Sequence, residues 1–382
     1  MSFATIEQMS ARRKGGFDDV QVAQNPTSDY NYPYEHPSRS GPAWHPRQWG
    51  RKTRIGVGVG LVVLLVVVIV GAVVGSEKNR YPAYSKLQYA LKDSYAGPTF
   101  YDNFDYFTGY DPTHGFVHYV DQPGAVAANI TFASSSSAIL KVDATEANAI
   151  TGRRSARVTS KQQYESGLFI FDILHSPYGC GTWPAVWLTD PSVWPNNGEI
   201  DVIEAVNAAT SGNQMALHTT DGCKMNVKRK MTGDSLSGNC YNGTDDNKGC
   251  AVGGGSDTFG EEFNRNRGGV YAIEWRTDGI RVWFFPRSSI PTDISAGVSP
   301  DPSSWGTALA DFPSTHCSMG AHFANQSIVA NIDLCGDWAG QQKIFNADGA
   351  CPGNCTAFVA ANPTAFNEAY WEFQSFKVYE AK

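Results

Sequence analysis

Gly198-Glu199-Ile200-Asp201-Val202-Ile203-Glu204 places three carboxylates within six residues, separated only by β-branched apolar side chains. Such residues favour a strand over a helix. Side chains alternate along a strand, so Glu199 and Asp201 share a face and Glu204 falls on the other if the strand is regular. One extra residue, a β-bulge at Val202-Ile203, returns Glu204 to the face of the first two acids.

Three like charges on one face repel, which a merely structural strand gains nothing from. Acid–base chemistry does use such a set. Retaining glycoside hydrolysis employs one carboxylate as nucleophile and a second as general acid/base, with the carboxyl groups about 5–5.5 Å apart. Five extended steps of about 3.3 Å separate residues 199 and 204 by roughly 16 Å, so bulge, curvature and long side chains must shorten the gap.

Further motifs flank the acids. Upstream stand Gly179-Cys180-Gly181-Thr182-Trp183-Pro184-Ala185-Val186-Trp187 and Trp194-Pro195-Asn196-Asn197. Downstream stand His218-Thr219-Thr220-Asp221-Gly222-Cys223 and Cys335-Gly336-Asp337-Trp338-Ala339-Gly340. Together with Tyr101–Phe107, Asp111–Val117, Gly152–Arg157 and Ala369–Phe373, this ordered set resembles glycoside hydrolase family 16, in particular its fungal laminarinase-like endo-1,3(4)-β-glucanases. The resemblance covers nearly everything after residue 95. It implies an all-β fold, a jelly-roll sandwich with a concave cleft. It also implies Glu199 as nucleophile, Glu204 as acid/base and Asp201 as the assisting carboxylate. Glu199 must then stay ionised, while burial and neighbouring charge raise the Glu204 pKa. A bell-shaped profile with an optimum around pH 4–6.5 follows from that reading.

Aromatic faces bury the apolar surface of a pyranose at low entropic cost. Trp187, Trp194 and Trp338 match cleft tryptophans of the family and are candidate sugar platforms, with Trp183 a weaker one. His218 matches a family histidine beside the acid/base. Arg153, Arg154 and Arg157 are read as structural ion-pair partners ahead of clamps on substrate hydroxyls. Gly253-Gly254-Gly255 is a loop and no phosphate cradle, because no Lys-Ser/Thr follows it.

The chain of 382 residues has 12% aromatic and 18% charged side chains and a net charge of −7. No basic stripe is present, which argues against nucleic acid as a partner. Ile55–Gly75 contains 21 residues without a charge, enough to span a hydrocarbon core of about 30 Å as a helix. The 54 preceding residues place this run too deep for a cleavable signal peptide. They carry eight Lys+Arg against five Asp+Glu, whereas the remainder carries 22 against 32. The positive side stays cytoplasmic. The expected protein is therefore a single-pass type II membrane protein, contacting the bilayer through residues 55–75, with its large domain lumenal or extracellular. Gly56, Gly60, Gly71 and Gly75 have the spacing that lets helices approach.

All eight cysteines lie between Cys180 and Cys355, and four sequons, at Asn129, Asn242, Asn325 and Asn354, also follow the apolar run. Both fit an oxidising compartment. Up to four disulfides are expected, with the pairing open. Cys351-Pro352-Gly353-Asn354-Cys355 lacks the second pair or histidines of a zinc site. No cofactor is expected; a structural calcium is not readable from sequence. Residues 1–54, rich in Pro, Tyr, Arg and Ser, read as a disordered cytoplasmic tail in which Arg12-Arg13-Lys14 is a solvated cluster. Residues 76–95 read as a stem and 96–382 as the catalytic domain. Alternating segments such as Gly167–Leu174, Gly269–Trp275 and Ile280–Phe285 mark strands.

The leading expectation is a membrane-anchored endo-β-glucanase acting on β-1,3- or mixed β-1,3/1,4-glucan. The alternative is a cell-wall transglycosylase that passes the same intermediate to a sugar; the topology also resembles that of the yeast proteins of β-1,6-glucan assembly. A non-catalytic glucan-binding module is the third reading, and the presence of both Glu199 and Glu204 speaks against it.

Overall fold

The computed structural model describes Pro46 and residues 49–382, apart from 79 and 209. Of the expected tail, residues 1–45, 47 and 48, with Arg12-Arg13-Lys14 and Arg47, lie outside the described residues, and Arg51–Arg54 already belong to a helix. The apolar run forms one helix, Arg51–Lys78, of 28 residues, or about 42 Å at 1.5 Å per residue. Its side chains from Ile55 to Val73 are exposed, and it is long and apolar enough to cross a membrane. The chain divides into two compact units at Val68/Ile69, within this helix.

The second unit is built on two eight-stranded sheets. One runs in the order Ala310–Pro313, Gly279–Pro286, Gly269–Arg276, Gly167–His175, Tyr370–Ala381, Ala138–Lys141, Thr131–Ala133, with Tyr89–Ala96 also pairing Tyr370–Ala381. The other runs Asp234–Ser235, Cys250–Gly253, Gln214–His218, Glu199–Glu204, Thr182–Thr189, Gln326–Leu334, Arg157–Tyr164, Phe104–Tyr106. Neighbouring strands within both sheets are antiparallel. The sheets face each other across one core, to which the first contributes Phe169, Phe171, Ile273 and Phe376 and the second Val186, Leu188, Ile200, Leu217 and Ile328.

The first sheet is buried on its outer face too. Leu168, Ile170, Val270 and Ala272 alternate with the core residues and pack beneath Tyr89, Ile294 and Trp305. That second layer explains why Leu168–Phe171 reads as a continuous apolar run. The expected strands at 167, 269 and 280 are all present. The segment read as a stem is not a separate element throughout, because Tyr89–Ala96 is a strand in register with Ser375–Ala381.

All eight cysteines are paired: Cys180–Cys351, Cys223–Cys317, Cys240–Cys250 and Cys335–Cys355. Two of these bridges, Cys180–Cys351 and Cys335–Cys355, fasten the region 342–361 to the residues just before Thr182–Thr189 and just after Gln326–Leu334.

Candidate active site

Glu199–Glu204 lies between Thr182–Thr189 and Gln214–His218. Asp201 pairs with Trp187, but the next pairs are Ile203 with Val186 and Glu204 with Ala185, so the acidic strand carries one extra residue. This is the expected bulge. Val202 and Ile203 both enter the core, and Glu199, Asp201 and Glu204 share the opposite face. Gly198 enters the strand at φ +74°, with its Cα so near His322 and Phe323 that a Cβ would lie 2.4 Å from each. Only glycine suits that position.

Asn213 holds the bulge open. Its Oδ1 accepts the Glu204 backbone N–H at 2.8 Å, and its Nδ2 donates to the Val202 carbonyl at 2.9 Å. Its own backbone N–H donates to Thr258 Oγ1 at 2.9 Å, and its carbonyl accepts from Gly254 N–H at 2.8 Å. The sequence reading missed Asn213, since one amide in a Gly-Asn turn carries no catalytic signature.

Each glutamate has an indole partner. Trp194 Nε1 donates to Glu199 Oε2 and Trp183 Nε1 to Glu204 Oε1, both at 2.7 Å. Trp183, the weaker platform candidate, therefore touches the second carboxylate directly. Trp338 meets Trp183 edge-on, with centroids 5.8 Å apart. Trp187 donates to Asn331 Oδ1 at 2.8 Å, and Asn331 Nδ2 donates to the Tyr119 hydroxyl at 3.3 Å. The structure thus gathers Trp183, Trp194 and Trp338 with the acids, and sets Trp187 one strand across from Asp201.

His218 faces Asp201, with Nε2 3.2 Å from Oδ2, and its Nδ1 lies 3.0 Å from Asn247 Oδ1. Burial alone disfavours the imidazolium, but Asp201, then Glu199 and Glu204, outweigh it and push His218 up to about 10. Burial also raises both glutamates, reinforced in each by Asp201. Glu199 is opposed by His218, Trp194 and Arg157, and it is raised less than Glu204, which is opposed by Trp183 and His218. The sequence anticipated the raised Glu204; the raised Glu199 follows from the same burial.

Ligand atoms of Glu199, Asp201 and His218 all lie within 4.8 Å of one another, the spacing of a candidate metal group among the described residues. Both His218 nitrogens already face partners, which fits an ion pair better than a metal ligand.

The three arginines separate. Arg153 is fully buried and donates to the carbonyls of Val359, Asp143, Glu146 and Ala360. Arg154 pairs with Asp143 at 2.5 Å. Among the described residues Arg157 makes no ion pair; its guanidinium stacks between Phe107 and Trp187, 4.9 and 4.8 Å from the ring centroids. A second acid pair, Asp111 and Asp333, sits beyond Trp183 and holds Thr113 and Gly115. Asp333, Asn331 and Asp111 were not singled out from sequence, although polar residues alternating in Ala330–Leu334 mark a face turned from the core.

The profile of the XgeA-like catalytic domain of glycoside hydrolase family 16 matches residues 104–379. A probable glycosidase of Schizosaccharomyces pombe is 47% identical over 307 residues, covering 79% of this chain and 72% of that protein. The endo-1,3(4)-beta-glucanase xgeA of Emericella nidulans is 40% identical over 314 residues, 78% of this chain and 48% of its own length. The chain thus spans about half of that longer glucanase. Among solved structures, laminarinase 16A from Phanerochaete chrysosporium, with 6-O-glucosyl-laminaritriose in donor and acceptor sites, is 45% identical at a TM-score of 0.75, covering 77% of this chain and all of that one. An elongating family 16 β-1,3-glucosyltransferase is 40% identical at a TM-score of 0.72, covering 76% of this chain and all of that one.

Proposed function

Because the chain belongs to glycoside hydrolase family 16, we propose that it is a retaining endo-β-glucanase acting on β-1,3- or mixed β-1,3/1,4-glucan, held to a membrane by Ile55–Gly75. The observation that carries this reading is the bulge that brings Glu204 onto the face of Glu199, with one indole N–H on each carboxylate. Glu199 attacks the anomeric carbon while Glu204 gives its proton to the leaving oxygen. Glu204, now a carboxylate, then takes a proton from the water that releases the sugar. The His218 imidazolium keeps Asp201 paired, and Asp201 in turn holds negative charge beside Glu204, favouring the protonated acid. The relatives named as glucanases and the laminarinase likeness support the substrate class.

A second reading, transfer to a sugar hydroxyl in place of water, draws support from the likeness to the elongating glucosyltransferase. One experiment separates them: the detergent-solubilised full chain incubated with defined laminari-oligosaccharides. Hydrolysis gives products shorter than the donor; transfer gives longer ones as well. No change in either direction sinks both.

The topology is part of the proposal. The basic flank of the apolar run, the four disulfides and the four sequons beyond it support a cytoplasmic amino terminus and a lumenal or external domain. Protease added to intact microsomes should trim about 50 residues and leave the rest, in line with the positive-inside orientation. Digestion of the domain under those conditions reverses the orientation.

A further inference from the structure

The domain is acidic, yet one loop reverses that sign. Gly222 to Gly233 holds Lys224, Lys228, Arg229 and Lys230 and no acid. Arg229 turns inward, donating to the Asp311 carbonyl at 2.5 Å and stacking 4.8 Å over Phe312. Lys224, Lys228 and Lys230 are exposed, and among the described residues no carboxylate forms an ion pair with them. The catalytic reading leaves these cations unused.

Their location gives them a use. Lys228 Nζ lies 5.4 Å from the ring of Tyr81, itself 61% exposed. The Asp311 carboxylate accepts the Tyr84 hydroxyl at 2.5 Å on one oxygen and the Lys230 backbone N–H at 2.8 Å on the other. The loop is thereby fastened to the segment that leaves the apolar helix, which ends at Lys78. Three residue steps from Lys78 to Tyr81 reach at most about 11 Å. Exposed Arg80 adds a further cation within that reach.

We propose that Lys224, Lys228 and Lys230, with Arg80 and Tyr81, form a docking surface for the phosphate groups of phospholipid headgroups. The proposal rests on the membrane anchoring above. Lysine ammonium groups form charge-assisted hydrogen bonds with the phosphate oxygens that headgroups of either leaflet carry, and an aromatic ring with a polar tip suits the interface. The surface sets the edge of the sheet that carries Glu199–Glu204 against the membrane, since Asp234–Ser235 is the edge strand next to this loop.

All native cysteines are disulfide-bonded, so Asn226→Cys in the full chain accepts a single fluorophore at an exposed position of the loop. The labelled chain is reconstituted into nanodiscs of phosphatidylcholine and phosphatidylserine, with or without a headgroup-nitroxide lipid. The nitroxide lipid should quench the label by at least about twofold, and Lys224→Glu/Lys228→Glu/Lys230→Glu should lose that quenching, since each cation adds attraction at the surface. Hydrolysis of a soluble oligosaccharide by the triple variant checks that it folds. Incorporation without quenching, or quenching that the triple variant keeps, overturns the docking surface and leaves the anchor standing. A chain that fails to enter nanodiscs overturns the anchor and the docking surface together.

Discussion

Asn213 bonds to Glu204 through the backbone and to Val202 on the other side of the extra residue, so one side chain fixes the departure of Glu204 from the regular strand. Asn213→Ala leaves a buried N–H and a buried carbonyl without partners, which costs about 1–3 kcal/mol. It also frees the acid to drift, and a misplacement near 1 Å lowers turnover by about a hundredfold. The expected result is a lower Tm and a fall in kcat larger than any change in KM. An unchanged kcat would remove Asn213 from the positioning of Glu204.

The two indoles set the two limbs of the pH profile. Glu199 acts ionised and governs the acidic limb; Glu204 acts protonated and governs the alkaline limb. Both are raised, to about 7 and about 8, so the profile of kcat/KM should centre nearer neutrality than the pH 4–6.5 window suggested by sequence. The Trp194 hydrogen bond lowers the Glu199 pKa, so Trp194→Phe should move the acidic limb to higher pH. Trp183→Phe should move the alkaline limb to higher pH for the same reason. Movement of the opposite limb in either variant exchanges the two roles.

His218 contributes a pH-dependent stability. Its folded pKa is raised to about 10 from an ordinary 6.5, so the contribution is complete below pH 6.5 and is lost as pH rises through about 10. Thermal melts between pH 8 and 10 should decline more steeply in the wild type than in His218→Gln. Parallel declines would mean that the imidazole is neutral in the folded chain.

The double displacement has a stereochemical signature. Glu199→Gln should abolish turnover while glucan binding survives; a residual rate above about a tenth, only about 1.4 kcal/mol, excludes Glu199 as nucleophile. In Glu204→Ala, donors with activated leaving groups still form the glycosyl-enzyme, and azide attacks it without a general base. The product should be the β-glycosyl azide, since two inversions retain configuration. An α-azide, or no rescue with good leaving groups, assigns the acid to another residue.

Much of this arrangement is legible in the sequence because it is local. Three acids at 199, 201 and 204 on an apolar strand demand either a split across two faces or a bulge, and the register with Val186 and Trp187 has the bulge. What was not legible depends on partners far along the chain. Trp183 reads only as an aromatic; that its N–H meets Glu204 depends on the pairing of two strands. The tyrosine- and lysine-bearing run Tyr89–Ala96 has no clean alternation and reads as a stem, because its strand character comes from Ser375–Ala381. The four disulfide partners were unreadable for the same reason.

That last pairing bears on how the polypeptide is made. Tyr89 lies beside Ala381, and Tyr370–Ala381 is an interior strand between Gly167–His175 and Ala138–Lys141. During vectorial synthesis the first strand after the helix emerges early and waits for a mate that is translated after every other described strand. The sheet cannot close around its middle until Tyr370–Ala381 has left the ribosome, and so much non-local pairing makes closure slow. A nascent chain stalled before residue 370 presents two open sheet edges to chaperones.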